Sequence, residues 1–171
     1  MPDAATQVPS MKLQNLVDRT ELREIRLQSF TGKILQTPPE ELQVSFQPSE
    51  PEYSRENGGI LVLFTHRLEY STVVDSNDEP IRVGYIETVH IVELELESGE
   101  EPSDESISAL IATNVLFMVF PYVRAALHRF PGEFGLPPIL LPYLRRDTLG
   151  IVLPAVDNKV PGDADSDEPS S

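Results

Sequence analysis

The sequence predicts an α+β fold, a four-stranded antiparallel sheet packed against one long C-terminal helix, assembled as an oligomer. Three features carry that expectation. Apolar residues alternate with period two in successive runs up to about residue 97, the period turns helical after Pro102, and the connections between the runs are short. Short connections join antiparallel neighbours, because a parallel pair needs a crossover of a dozen residues or more.

Leu13, Leu16 and Val17, set among polar residues, predict a short helix over about 10–20. Residues 22–36 form the first strand and 42–47 the second, where Leu42, Val44 and Phe46 alternate with Gln43, Ser45 and Gln47. Pro48 to Gly59, rich in Pro, Ser, Glu and Gly, reads as a loop, with Gly58-Gly59 as a turn. The third strand covers about 60–74, with Ile60, Val62, Phe64, Leu68 and Tyr70 in step, and Asp75 to Pro80 turn the chain back. In the fourth, over about 81–97, the apolar residues begin on odd positions (Ile81, Val83, Tyr85) and end on even ones (Val92, Leu94, Leu96). That change of phase implies a bulge, or burial of both faces near Ile86 to Ile91.

Ser103 is the predicted N-cap of the long helix, and Asp104 and Glu105 complement its positive end. One stripe comprises Ile107, Leu110, Ile111, Val115, Met118 and Tyr122, a second Leu116, Phe117, Phe120, Val123 and Leu127. A sheet buries one stripe; the other needs a second subunit or a bound apolar ligand. Pro121 should bend the helix, which ends near Phe130-Pro131-Gly132. The segment Gly135 to Leu144 is apolar and pinned by prolines, so it must lie over a surface or line a groove. Residues 1–9 and 151–171 are expected to be disordered, leaving 10–150 as the domain; the acidic tail has few groups to bury.

With 13 Lys and Arg against 28 Asp and Glu, the net charge of -15 disfavours nucleic acid as a partner. The chain has no cysteine, which excludes disulfides, thiol catalysis and thiolate metal sites. The N-terminus lacks the basic start and apolar stretch of a signal peptide. The apolar segment Ile107–Phe120, interrupted by Ser108, Thr113 and Asn114, is shorter than the roughly 18 residues of a membrane span. A soluble, cytoplasmic protein is expected, without membrane insertion. No phosphate loop, Walker lysine or ligand-spaced histidine pair occurs among His66, His90 and His128. Glu93, Glu95 and Glu97 share one strand face, as a solvated face does. No catalytic residue, metal site or cofactor is expected; the chain is not read as an enzyme.

Asn114 to Arg124, with Phe120-Pro121-Tyr122-Val123-Arg124 at its heart, resembles the long-helix signature of SecB-type chaperones. Gly132-Glu133-Phe134-Gly135-Leu136-Pro137-Pro138-Ile139 is similar to that family's crossover loop, and the element order matches over about 20–145. The resemblance implies an ATP-independent holdase for unfolded or nascent polypeptides, built as a dimer of dimers. Phe117, Phe120, Leu136, Ile139, Leu140 and Tyr143 would then line the client groove or the subunit interface. Pro121, Tyr122 and Arg124 would be structural at the helix bend. Export-type members dock the SecA motor through acidic residues; Ser29, Lys33 and Tyr85 stand at the corresponding positions, and none is acidic. The family's terminal helix looks shortened or lost beyond Pro142. Leu22-Arg23-Glu24-Ile25-Arg26-Leu27 looks more like SecB-like chaperones of actinobacterial toxin–antitoxin systems, which protect an aggregation-prone antitoxin. The rival expectation is a structural or adaptor homo-oligomer.

Overall fold

The computed structural model of the chain describes residues 10–72 and 79–142. Helix α1 (Ser10–Asp18) leads into β1 (Thr20–Ile34), β2 (Leu42–Pro48), β3 (Glu52–Glu56), β4 (Gly59–Thr72) and β5 (Arg82–Leu96). A continuous helical run follows: α2 (Asp104–Leu110), a π-helical segment Ile111–Val115 and α3 (Leu116–Arg129), closed by a 3₁₀ turn Phe130–Phe134. The expected boundaries of the tails, the turn at 75–80 and Tyr143 fall wholly or largely outside the described residues.

All pairings are antiparallel, in the order β1-β5-β4-β2, with β3 also on β4. The sheet therefore has five strands rather than the expected four. The extra one lies in the predicted loop 48–59: β2 pairs with residues 66–72 of β4 and β3 with residues 59–63, so the two share one edge. Asn57 and Gly58, both at positive φ (50° and 81°), form the two-residue turn that joins β3 to β4. The phase change in β5 is a bulge at Val83: Tyr70 pairs with Gly84 and Ser71 with Arg82, leaving Val83 over.

The even positions from Ile60 to Tyr70 and from Gly84 to Leu94 face the helices and are buried; the odd ones, on the outer face, are mostly half-exposed. Ion pairs lace that outer face, among them Arg26–Glu93 at 2.6 Å and Arg23–Glu95.

Ser103 caps the helical run, its hydroxyl accepting from the Ser106 N–H, with Asp104 and Glu105 in the first turn. Ile107, Ile111, Val115, Val119, Val123 and Leu127 are all buried at a spacing of four. In a straight α-helix each step of four overshoots a full turn by about 40°, and five steps would carry the stripe about 200° round. The π segment, where the Leu116 N–H reaches back to the Ile111 carbonyl, absorbs one residue and removes about half of that drift. Thr113, whose hydroxyl donates to the Ala109 carbonyl (2.7 Å), sits within it. The shift overturns the expected stripe: Val119 and Val123 continue it, and Met118 and Tyr122 are exposed. The helix ends at Arg129, where expected, and the 3₁₀ turn carries the run from Asp104 on to Phe134. By length and composition its 31 residues could cross a membrane, but nearly half of its apolar window is buried inside the protein, as in a core helix.

The run crosses the sheet diagonally. At its start, Tyr53 and Arg55 of β3 hold Asp104 (3.0 and 2.6 Å), and Arg55 also holds Glu101 (2.6 Å). At its end, Phe130 stacks on Phe30 of β1 with centroids 4.0 Å apart, and Phe134 meets Phe30 edge-on at 6.4 Å. The Phe134 ring lies so close to Gly32 that a Cβ there would be 2.3 Å from it. Gly32→Ala should therefore lower stability by about 1–2 kcal/mol, and by much less in a Phe134→Ala background. Urea unfolding of the four-member cycle checks this; additive losses would contradict the contact.

Candidate functional site

The helix-side face of the sheet is not fully covered. The corner at β2 and the end of β4 is closed by the chain after Gly135: the Tyr70 hydroxyl donates to the Pro137 carbonyl (3.1 Å), and Leu136, Ile139 and Leu141 are buried there. His128 Nδ1 lies 3.3 Å from the Ile139 carbonyl and ties this segment to α3. On the other side of the helix, β1 places Leu22, Ile25, Leu27, Phe30 and Ile34 opposite the helix-side positions of β5. All of these except Ile25 are exposed by a third or more, since only Phe30 and Gly32 meet the 3₁₀ turn. Leu140 (66% exposed), Tyr122 (51%) and Met118 (43%) add apolar surface on the loop and on α3.

Of the residues singled out in the sequence, Phe120, Leu136 and Ile139 lie in the chain's own core. Leu140 is open, Phe117 is half-buried, and Tyr143 lies outside the described residues. In the group assigned to the helix bend, Pro121 and Tyr122 are exposed and Arg124 is half-buried. Pro121 thus sits where a carbonyl deprived of its N–H can be hydrated. The β1 stripe was not singled out. Its alternation is broken by register shifts at Leu22/Glu24 and Leu27/Ser29, which hide a period-two signal.

Among the described residues no three His, Cys, Asp or Glu side chains converge as metal ligands. A concavity of about 370 Å³ between α1 and the start of α2 is lined by mixed charges, including Lys12, Arg19, Glu100 and Glu101. His66 and His90 are buried on the helix-side face, and burial pushes both imidazoles down to about 4.

No family model matches the chain. A SecB-like chaperone of Mycobacterium tuberculosis strain CDC 1551 is 23% identical over 146 residues, covering 77% of this chain and 81% of that protein. SecB-like chaperone Rv1957 of strain H37Rv is 31% identical over 75 residues, 42% of this chain and 41% of its own. The solved structure of Mycobacterium tuberculosis Rv1957, in complex with a ChAD peptide from the Rv1956 HigA1 antitoxin, superposes with a TM-score of 0.68. It covers 80% of this chain and 98% of that one, at 21% identity, and shows that the two share a fold. The fold is SecB-like. The SecB-like fold here carries its open apolar surface on β1, on the outer side of α3 and at Leu140.

Neighbouring loop residues should respond differently to charge. Ile139→Asp should cost about 3 kcal/mol or more, because it buries a carboxylate, and Leu140→Asp should change stability by less than about 0.5 kcal/mol. Denaturant unfolding of both variants measures this.

Proposed function

We propose that the chain is an ATP-independent chaperone that holds unfolded polypeptide segments on its apolar surface, with an aggregation-prone antitoxin as the dedicated client. The observation that carries this is the stripe Leu22, Leu27, Phe30 and Ile34 on β1, large apolar side chains left open on an otherwise acidic protein. Burial at about 25 cal/mol per Å² lets such a surface hold an exposed apolar segment with little sequence preference. The SecB-like fold and the antitoxin peptide held by Rv1957 support the choice of client. Leu140 is the loop residue placed to touch it; Phe120, Leu136 and Ile139 shape the surface from beneath.

A dimer of dimers is part of the same proposal. β1 is a 15-residue edge strand without proline, and Met118 and Tyr122 give α3 a second apolar side. Docking to the SecA motor is not part of it. Lys33 registers with Tyr85 and Ser29 with Val89 on the outer face, and Arg67 stacks over Tyr85 at 3.8 Å; none of the three positions is acidic, and the neighbouring Glu69 and Glu87 are paired with Arg82 and Arg67. The assignment to the cytoplasm rests on the family resemblance.

Titration calorimetry without nucleotide should show binding to an unfolded polypeptide or an antitoxin C-terminal peptide and none to a folded protein. Leu140→Asp should weaken it about tenfold or more (about 1.4 kcal/mol) while the oligomer persists. Equal affinity for folded and unfolded chains, or no binding to either kind of ligand, would leave a structural homo-oligomer. Tyr122→Asp should reduce the subunit number in sedimentation; an unchanged assembly would remove that face of α3 from the interface.

A further inference from the structure

Beneath the helical run, the sheet carries three buried polar side chains that nothing in the chaperone proposal uses. His66 and Thr88 are direct cross-strand partners, and His90 follows on the same face of β5, opposite Phe64. All three are at least 97% buried. The Nδ1 atoms of both imidazoles and the Thr88 hydroxyl have no hydrogen-bond partner among the described residues. The His66 ring lies near-parallel to Phe46 and Phe64, with centroids 5.6 and 6.3 Å away. Buried polar atoms are normally satisfied, so three orphans in one layer mark a place where packing is held at a cost.

The charges around the trio offer no compensation. On β1 the helix-side positions are apolar, and Glu24, Arg26, Thr31 and Lys33 register on the outer face, with Arg23 paired to Glu95. On β4 and β5, Arg67, Glu69, Glu87, Glu93 and Glu95 alternate to the outer face. Tyr70 shares the inner face and donates to the Pro137 carbonyl; burial pushes its phenol up. β2 contributes Leu42, Val44 and Phe46. The buried stripe of α3 has no ionisable group. Its charged or titratable side chains are the half-buried Arg124 and the exposed Tyr122, His128 and Arg129, none of them a carboxylate. Asp104, Glu105 and Glu133 are exposed at the ends of the run.

We propose that His66 and His90, flanking Thr88, form an acid-operated release of the helical run from the sheet. In the closed form both imidazoles are neutral. Each must take a proton once the layer opens to water, and two cations side by side in a layer without a counter-charge repel each other and demand hydration. The sign follows from burial. Both groups bind protons less readily closed (about 4) than unfolded (6.5), so the closed form is unaffected above about pH 6.5 and loses stability as pH falls towards 4. With two protons taken up per opening, the open/closed ratio rises by up to about 100-fold per pH unit within that window.

The test is a pH titration of the full chain from 7.5 to 3.5. Near-UV circular dichroism and binding of an apolar dye report opening, far-UV circular dichroism reports secondary structure, and histidine proton resonances report ionisation. Loss of near-UV signal and gain of dye binding should begin between pH 6.5 and 4 with the far-UV signal largely kept. The two buried imidazoles should ionise together with it. His66→Phe or His90→Leu should each reduce the steepness by up to about tenfold per pH unit, and the double variant should stay closed to lower pH. Opening of the double variant at the wild-type pH and steepness would overturn the proposal, because carboxylates would then drive it. So would wild-type imidazoles that ionise near pH 6.5 without opening. That last measurement needs no variant, so a substitution that fails to fold does not shield the proposal.

Discussion

One helical run has to cover a sheet too large for it, and most of the architecture follows from that mismatch. Strands of 14 and 15 residues at about 3.4 Å per residue make a sheet roughly 48 Å long, and four strand positions at about 4.8 Å make it near 19 Å wide. A helix is only about 10 Å across. Crossing on the diagonal, from Asp104 held by Arg55 to Phe130 stacked on Phe30, places one band of side chains over the sheet and leaves two corners. The loop after Gly135 folds back over one, with Leu136, Ile139 and Leu141 as its anchors. The other lies along β1 beyond the reach of α3, and its leucines stay open.

The two sheet edges differ in a way that gives this corner meaning. On the β2/β3 edge, Pro48 ends β2, Glu50 and Pro51 interrupt the pairing, and Glu52, Arg55 and Glu56 charge what remains. Prolines and charges are how an edge strand avoids recruiting another chain. β1 has no proline, and beside its unpaired edge lies an apolar row. Two register shifts twist it, but among the described residues nothing blocks its backbone groups. An edge of that kind, in a chain of net charge -15, suits a strand that is covered in use.

What was legible in the sequence depended on whether a pattern was local. The alternation of Ile60, Val62, Phe64, Leu68 and Tyr70 named a strand directly, because one face is buried along its whole length. The missed strand β3 sits between Pro51 and Asn57-Gly58, in a composition that reads as a loop. Asn57-Gly58 was the available signal, since both residues adopt the positive φ that a tight hairpin demands. The helix was legible, but its face was not. A straight-helix projection puts Met118 and Tyr122 with Ile107, and only the wide turn at Ile111–Val115 hands the stripe to Val119 and Val123. The candidate surface was read from the family pattern in the loop. Packing alone decided that Leu136 and Ile139 point inward while Leu140 points out.

The buried trio bears on why the layer has this composition. Leu or Val at 66, 88 and 90 would match their neighbours and remove three orphaned polar atoms, each worth about 1–3 kcal/mol of desolvation. A core selected only for stability has no use for that penalty. The fold leaves large apolar surface open on β1, and its helix is joined to the sheet chiefly by non-directional packing plus contacts at the two ends. A layer weakened at its centre and pinned at its ends can yield as a unit, with the strands' ladder intact. The polar atoms thereby set how tightly the helical run is held, and tie that grip to proton concentration rather than to a ligand or nucleotide.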